Sequence, residues 1–360
     1  MSTSQKSNGS RVGVKEIARR ANVALATVDR VINKRPGVSK KTYEKVQKII
    51  DELNYKPNII ASRLASMQEN RFAVLIPEIS EESGFFWKDP ADGVSVAAEE
   101  LSSMGIFVEV FYFDQNSKSS FVKESKKILN GHFDAVLLAP FFTQEAIEFT
   151  NVCAKLAIPF IFINSDIPDQ KSLCYIGPNL YATGYLGGQL ISFILQDQDQ
   201  VLIINISNDI KGSRQNRLLR KEEGARAYFQ EKNKKNKIRK IDITQTDEIS
   251  VSEKLRKTLN DYPDIAVIFV TNSRVVSVAK FIQENHINHI RLIGYDLIDE
   301  SVAYLKNGVI DFLICQKPRE QAYRGIMALY HHLVLKLPIE QIQHMPIDIV
   351  TCENYSYYKN

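Results

Sequence analysis

No stretch of this 360-residue chain approaches the roughly 18 consecutive apolar residues needed to cross a bilayer, and the polar start MSTSQKSNGS lacks the apolar core of a signal peptide. The expectation is a protein with no membrane partner, kept in the cytoplasm. Cysteine is scarce as well. Cys153, Cys174, Cys315 and Cys352 are scattered without a C-x-x-C spacing and three of them sit in apolar segments, so they read as reduced thiols. Neither a disulfide frame nor a metal site is expected. Catalytic signatures are missing too: no G-x-S-x-G or H-E-x-x-H occurs, and the glycines from Gly184 to Gly188 lack the spacing of a phosphate loop. His286 and His289 lie in a polar stretch that reads as surface. With no nucleophile paired to a base, an enzyme is not expected, nor is a cofactor.

Apolar residues make up 44% and charged residues 24%, the balance of a folded globular protein. The length exceeds the roughly 150 residues of one ordinary domain, which points to several compact units. Net charge is +4 overall but unevenly spread. Residues 1 to 70 hold 14 Lys/Arg against 6 Asp/Glu, a net +8, leaving −4 for the other 290. A basic head on an acidic body suits a polyanion, because cations near phosphates release condensed counterions.

Residues 1–11 are Ser/Asn/Gly-rich with nothing to bury and read as a disordered arm. From residue 12 to 57 apolar residues recur at helical spacing in three groups: Ile17, Ala18 and Ala21; Val28, Val31 and Ile32; Val46, Ile49, Ile50 and Leu53. Asn22 lies between the first two, where a left-handed turn residue is needed. Arg35-Pro36-Gly37 breaks the chain again and Ser39 is placed to cap the third helix. Residues 58–71 hold a short apolar stretch, Ile59 to Ala65, too brief to be a stable helix alone.

Beyond residue 71 the pattern becomes strand then helix, repeated. Branched and aromatic runs occur at 72–76, 107–113, 135–139, 160–163, 201–206, 238–243, 266–270, 291–295 and 312–314, with helical patterns between most of them. This grammar predicts buried parallel sheets covered by helices. So many strands fit two α/β lobes better than one sheet. Ligands in such sheets collect beyond the carboxyl ends of the strands, so the residues just after each run are the candidate site.

The string from Val14 to Ala65, VKEIARRANVALATVDRVINKRPGVSKKTYEKVQKIIDELNYKPNIIASRLA, resembles throughout the DNA-binding head of the lac repressor family of bacterial transcription regulators. The resemblance implies a helix-turn-helix whose second helix, about Ala24 to Asn33, enters the major groove. Leu25, Ala26 and Arg30 then fall where the family reaches base edges, Arg30 with the geometry for two bonds to guanine and the other two for apolar contact with a thymine methyl. Thr27, Asn33, Ser39 and Thr42 fall where it touches phosphates. Ala61 and Leu64 match its hinge helix, which pairs across a dimer with Leu64 as a wedge in the minor groove. Two departures stand out. Ala24 replaces a common Ser or Thr, removing a cap, and Asp29 replaces a frequent Ser, where it would accept from a cytosine amino group or hold Arg30.

Residues 72–360 resemble the two-lobed, type I periplasmic sugar-binding fold that this family fuses to its head. The motifs are NSDIP at 164–168, YIGPN at 175–179, TNS at 271–273, IGYDLI at 293–298 and ICQKP at 314–318. The resemblance implies Asp166, Asn272, Asp296 and Gln316 as polar contacts to a sugar, with Phe86 and Trp87 stacking on its apolar face. Arg217, Arg220 and Lys221 all precede Gly224 in the region where the family places an arginine, and Arg217 is preferred.

The expected protein is a multi-domain homodimeric repressor: an all-α head and hinge helix followed by an α/β ligand domain. Its partners would be a pseudo-palindromic double-stranded operator and a small sugar-type effector, and helix 91–103 is a plausible dimer surface. A transport receptor without DNA function and a sugar-modifying enzyme are the weaker alternatives. Arg30→Ala should weaken cognate DNA binding by about 1 to 3 kcal/mol and relax preference at one base pair. A gel shift on cognate and random DNA checks this, because equal losses on both would reduce Arg30 to a phosphate contact.

Overall fold

The computed structural model describes residues 13–32, 34–55, 69–80, 86–208 and 217–358. The arm 1–11, Asn33, and the hinge residues Ala61 and Leu64 lie outside the described residues. The chain divides into two compact units, residues 1–68 and 69–360.

Three helices build the first unit: α1 (Val14–Ala21), α2 (Leu25–Ile32) and α3 (Lys40–Glu52). The apolar positions at helical spacing become its core, with Ile17, Ala21, Val28, Val31 and Val46 almost wholly shielded from solvent. Asn22 ends α1 at φ +50°, a left-handed geometry whose cost Asn lowers. Ser39 caps α3 by accepting from the Thr42 amide at 3.2 Å.

The second unit is α/β. Its strands are β1 (Asn70–Pro77), β2 (Ile106–Phe113), β3 (Ala135–Leu138), β4 (Phe160–Ile163), β5 (Cys174–Gly177), β6 (Gln200–Ile206), β7 (Ile238–Ile243), β8 (Ile265–Val270), β9 (Arg291–Tyr295), β10 (Phe312–Cys315), β11 (Ile342–His344) and β12 (Asp348–Val350). They form two sheets in the orders β11-β5-β4-β3-β1-β2 and β12-β10-β9-β8-β6-β7. Every pairing is parallel except β10 with β12. The nine apolar runs named above fall on strands, with Ala139 alone one residue past its strand end, and each central strand is buried on both faces. The sequence pattern missed β5, β11 and β12. These are three or four residues long, and IQH or DIV is too short to show a period.

Helices cover both sheets: α4 (Lys88–Ser102), α5 (Lys118–Asn130), α6 (Thr143–Lys155), α7 (Leu180–Ile194), α8 (Arg217–Glu231), α9 (Glu248–Asp261), α10 (Val275–Glu284), α11 (Asp299–Lys306) and α12 (Pro318–Leu329). The chain passes between the sheets three times: after β5, after β10 and between β11 and β12. Helix α12 thus returns to the first core, where Ala322, Ile326 and Leu329 pack with the first sheet. The apolar residues of α4, including Val94, Ala97 and Leu101, are buried in that same core. The helix considered for a dimer surface therefore turns a largely polar face outward, with Asp92, Ser95, Glu99 and Glu100 exposed.

Helices α7 and α8 touch through their backbones. A Cβ at Gly184 would overlap the Lys221 carbonyl, and one at Gly224 would overlap the carbonyl of Tyr181. The glycines from Gly184 to Gly188 thus serve helix packing rather than a phosphate loop. Gly184→Ala should force the helices apart and cost about 1 to 3 kcal/mol, measured as a lowered urea midpoint at unchanged slope.

Candidate functional site

In the head, α2 turns Leu25, Ala26 and Arg30 outward, with Leu25 48% exposed, while Val28 and Val31 face the core. An apolar side chain so exposed on a small basic unit is a contact waiting for a surface. Thr27 and Thr42 are half-buried and Ser39 is exposed. Asp29 accepts from Arg35 Nη1 at 3.2 Å, so its charge acts there instead of holding Arg30. Glu16 likewise takes hydrogen bonds from Arg19 and Arg20, which hold its carboxyl down at about 2. Part of the basic surplus is therefore already matched within the head.

In the body, a cleft of about 660 Å³, counted out to its open mouth, lies at the carboxyl ends of the strands. The topology explains its position. In both sheets the strand order reverses at the first strand, β1 or β6, and loops leaving on opposite sides of that point open a crevice. Phe86, Trp87, Arg217, Asn272, Asp296 and Gln316 all line it. Phe86 and Trp87 meet edge to face at 5.2 Å, so the lone tryptophan is both wall and core.

Asp166 is the exception and requires a correction. Its carboxylate accepts from Arg220 Nη1 at 2.5 Å and is not among the cleft residues. Asn164, two residues earlier, takes that place. Asn164, Asp296 and Gln316 are each the first residue past a strand, whereas Asp166 is the third past β4. Asn164 and Asp296 adopt φ of +68° and +63°, a left-handed step at the strand end that Asn and Asp tolerate.

A chain of amides joins three strand ends. The Asn164 amide donates to Gln321 Oε1 at 2.9 Å, Gln321 Nε2 donates to the Gln316 carbonyl at 2.7 Å, and Gln316 Nε2 reaches both Asp296 oxygens at 3.0 and 3.2 Å. Asp296 is not the cap of α11, because Ser301 exchanges hydrogen bonds with the Ile298 backbone there. Asn272 Nδ2 donates to the Ile206 carbonyl at 2.8 Å, which fixes its side chain at the tip of β8.

Arg217 and Lys221, two of the three basic residues ahead of Gly224, both line the cleft, whereas Asn208 and Gln115 are lining residues that the sequence reading did not name. Arg217 lies with its guanidinium 4.1 Å from the centre of the Phe141 ring. Lys221, one helical turn on, also faces the cleft and is only 4% exposed. Burial pulls its pKa down despite the attraction of Asp296, and burial pushes Asp296 up despite Lys221. Asn208 joins the halves of the body, donating to Asn116 Oδ1 at 2.9 Å. Gln115, also in the lining, has a buried Nε2 with no hydrogen-bond partner among the described residues.

Residues 72–336 match the family model described as a periplasmic binding protein domain, and residues 13–58 match that of the lacI family of bacterial regulatory proteins. Catabolite control protein A of Staphylococcus xylosus is 27% identical over 159 residues, covering 44% of this chain and 46% of that protein. The HTH-type transcriptional regulator DegA of Bacillus subtilis is 28% identical over 153 residues, 42% of this chain and 44% of that one. The chain thus spans less than half the length of these curated relatives. A solved structure described as a LacI transcriptional regulator from Bacteroides fragilis superimposes with a TM-score of 0.76 at 29% identity, covering 81% of this chain and 100% of that chain. A glucose-galactose binding protein from Geobacillus stearothermophilus gives 0.70 at 21%, over 80% and 99%, a likeness of fold alone. Among the described residues no helix is long and apolar enough to cross a membrane.

The Asp166–Arg220 pair is about three-quarters buried on both sides. Asp166→Ala should therefore cost about 1 to 3 kcal/mol in urea unfolding, by stranding the guanidinium. The same loss in an Arg220→Met, Asp166→Ala double variant would show that stranding is not the cause.

Proposed function

The chain belongs to the lacI family of bacterial regulatory proteins, with a periplasmic binding protein domain as its body, and we propose that it is a homodimeric transcription regulator whose grip on operator DNA is set by a sugar-type ligand in the cleft. The observation that carries this reading is the convergence of Asn164, Asn272, Asp296 and Gln316 on one cleft walled by Phe86 and Trp87. Amides and a carboxylate offer paired donors and acceptors to vicinal hydroxyls, while the rings suit the apolar face of a pyranose. The buried amide of Gln115, without a partner among the described residues, adds a donor that a ligand oxygen would satisfy.

On the DNA side, Leu25, Ala26 and Arg30 are the base-reading residues and Thr27, Asn33, Ser39 and Thr42 the phosphate contacts. Ala61 and Leu64 supply the minor-groove hinge. One short recognition helix makes too few contacts for specific binding, so two heads on a two-fold site are required. Repression relieved by ligand follows if the two binding events oppose each other, and linkage makes that opposition reciprocal.

A thermal-shift panel of mono- and disaccharides tests the effector reading, since a specific ligand raises the melting temperature by mass action. Gel shifts on a pseudo-palindromic DNA test the other half. Asp296→Asn keeps the left-handed backbone but removes the charge, and should lower affinity for the sugar so identified by about tenfold, which corresponds to one lost charge-assisted bond of about 1.4 kcal/mol. Calorimetry on the folded variant decides: unchanged sugar affinity would move the site away from the strand ends.

A further inference from the structure

The halves of the body pivot on three crossovers, and two of these run side by side. Lys317 leaves β10 for α12 at φ +57°, and Asp348 opens β12, which pairs antiparallel with β10. Lys317 Nζ meets Asp348 Oδ2 at 3.0 Å, with the lysine side chain 18% exposed. A lysine in the left-handed region is strained and persists only where its surroundings hold it. Hinges are built at such element ends, where a change of φ and ψ turns one half of a protein against the other.

What holds Lys317 includes the segment that follows β12. Asn354 Oδ1 accepts from the Thr351 amide at 2.7 Å and Asn354 Nδ2 donates to the Ile349 carbonyl at 2.9 Å, closing a turn that lays Tyr355 and Tyr358 against the second core. The Tyr358 ring centre lies 4.6 Å from the Lys317 ammonium. Its hydroxyl is hydrogen-bonded with the Cys315 thiol and the Lys317 backbone. Cys315, the last residue of β10, is buried there. Between these two contacts stands Gln316, which lines the cleft and holds Asp296.

We infer that residues 351–358 are a strap across the pivot, with Tyr358 as its latch: by clasping Cys315 and Lys317 the strap fixes the bend of the crossovers and sets how readily the cleft opens. The Asp166–Arg220 pair ties the halves across the cleft, whereas the strap acts on the joint about which they turn. Lifting Tyr358 frees the backbone that aims Gln316 and bares the Cys315 thiol. The strap works whatever ligand the cleft takes, so it stands apart from the effector reading.

Two native groups report on the full chain: the Cys315 thiol for the strap, and Trp87, the lone tryptophan and a wall of the cleft, for opening. Cys352 is exposed on the strap itself, so every protein compared carries Cys352→Ser. Alkylation by N-ethylmaleimide is then followed at each remaining cysteine by peptide mass spectrometry. Tyr358→Ala should speed modification of Cys315 about tenfold, because a buried thiol reacts in proportion to the time its cover is open, and should raise acrylamide quenching of Trp87 about twofold. Cys153 and Cys174, buried in the first core, should keep their rates. Tyr358→Phe keeps the ring over Lys317 and loses only the hydroxyl, so both readouts should fall between. An unchanged Cys315 rate would overturn the strap. Faster Cys315 with unchanged Trp87 quenching would overturn it too, by leaving a local cover with no hold on the cleft. Tyr358→Phe decides even if Tyr358→Ala fails to fold: acceleration of Cys153 and Cys174 to the same degree as Cys315 would reduce the effect to overall stability and end the inference.

Discussion

The body depends on a helix contact that only glycine permits. Helices α7 and α8 meet backbone to backbone at Gly184 and Gly224, and the group that Gly184 rests against is the main chain of Lys221 itself. That contact fixes how far α8 stands from the second sheet. It therefore fixes where Lys221 and Arg217 emerge, because both lie on the same face of the helix. Tyr295, beneath Lys221, is tied back to α7 through its bond to Thr183 Oγ1 at 3.2 Å. Packing geometry and cleft electrostatics are one problem here, and a methyl group in the contact would disturb both.

Around that contact the cleft is organised by polar groups that satisfy one another. The line from Asn164 through Gln321 and Gln316 to Asp296 crosses from the first sheet to the second and uses a helix, α12, whose apolar side belongs to the first core. Buried amides in such a line have little freedom to rotate, since each turn would strand a donor or acceptor. A ligand then meets a preset arrangement of donors and acceptors and loses less entropy in ordering it. Among the described residues, direct contacts between the halves include Asn208 with Gln115 and Asn116, the exposed Lys88–Asp299 pair at 3.5 Å and the largely buried Asp166–Arg220 ion pair. The exposed pair contributes about 1 kcal/mol or less, so the buried one is the stronger tie between the halves.

Much of the architecture was legible in the chain because the deciding interactions are local. Asn22 marks the left-handed turn between α1 and α2, and Ser39 caps α3 through the Thr42 amide three residues on. The apolar runs are long enough to declare central strands, and their alternation with helices declares parallel sheets. Where local pattern is weak the reading fell short. Strands β5, β11 and β12 are edge or near-edge pieces too short for periodicity, and they exist because a neighbouring strand offers hydrogen bonds. Asp29 offers its carboxylate to a cytosine amino group or to Arg30 on sequence alone, yet the turn at Arg35 brings a second guanidinium within reach of it.

By itself, then, the sequence determined that a helical head precedes an α/β body and that the strands of the body pair mainly in parallel, since both follow from periodicity and from the alternation of strand with helix. It did not determine which polar residue at each strand end faces the cleft. NSDIP offers both Asn164 and Asp166, and only the left-handed step at Asn164 and the reach of Arg220 from α8 decide that the first lines the cleft and the second forms an ion pair. Arg217, Arg220 and Lys221 share one short segment as well. Their separation into two cleft cations and one partner for Asp166 comes from helical phase measured against the distant glycine contact with α7. Those choices depend on distances between segments far apart in the chain, and a one-dimensional pattern carries no record of them.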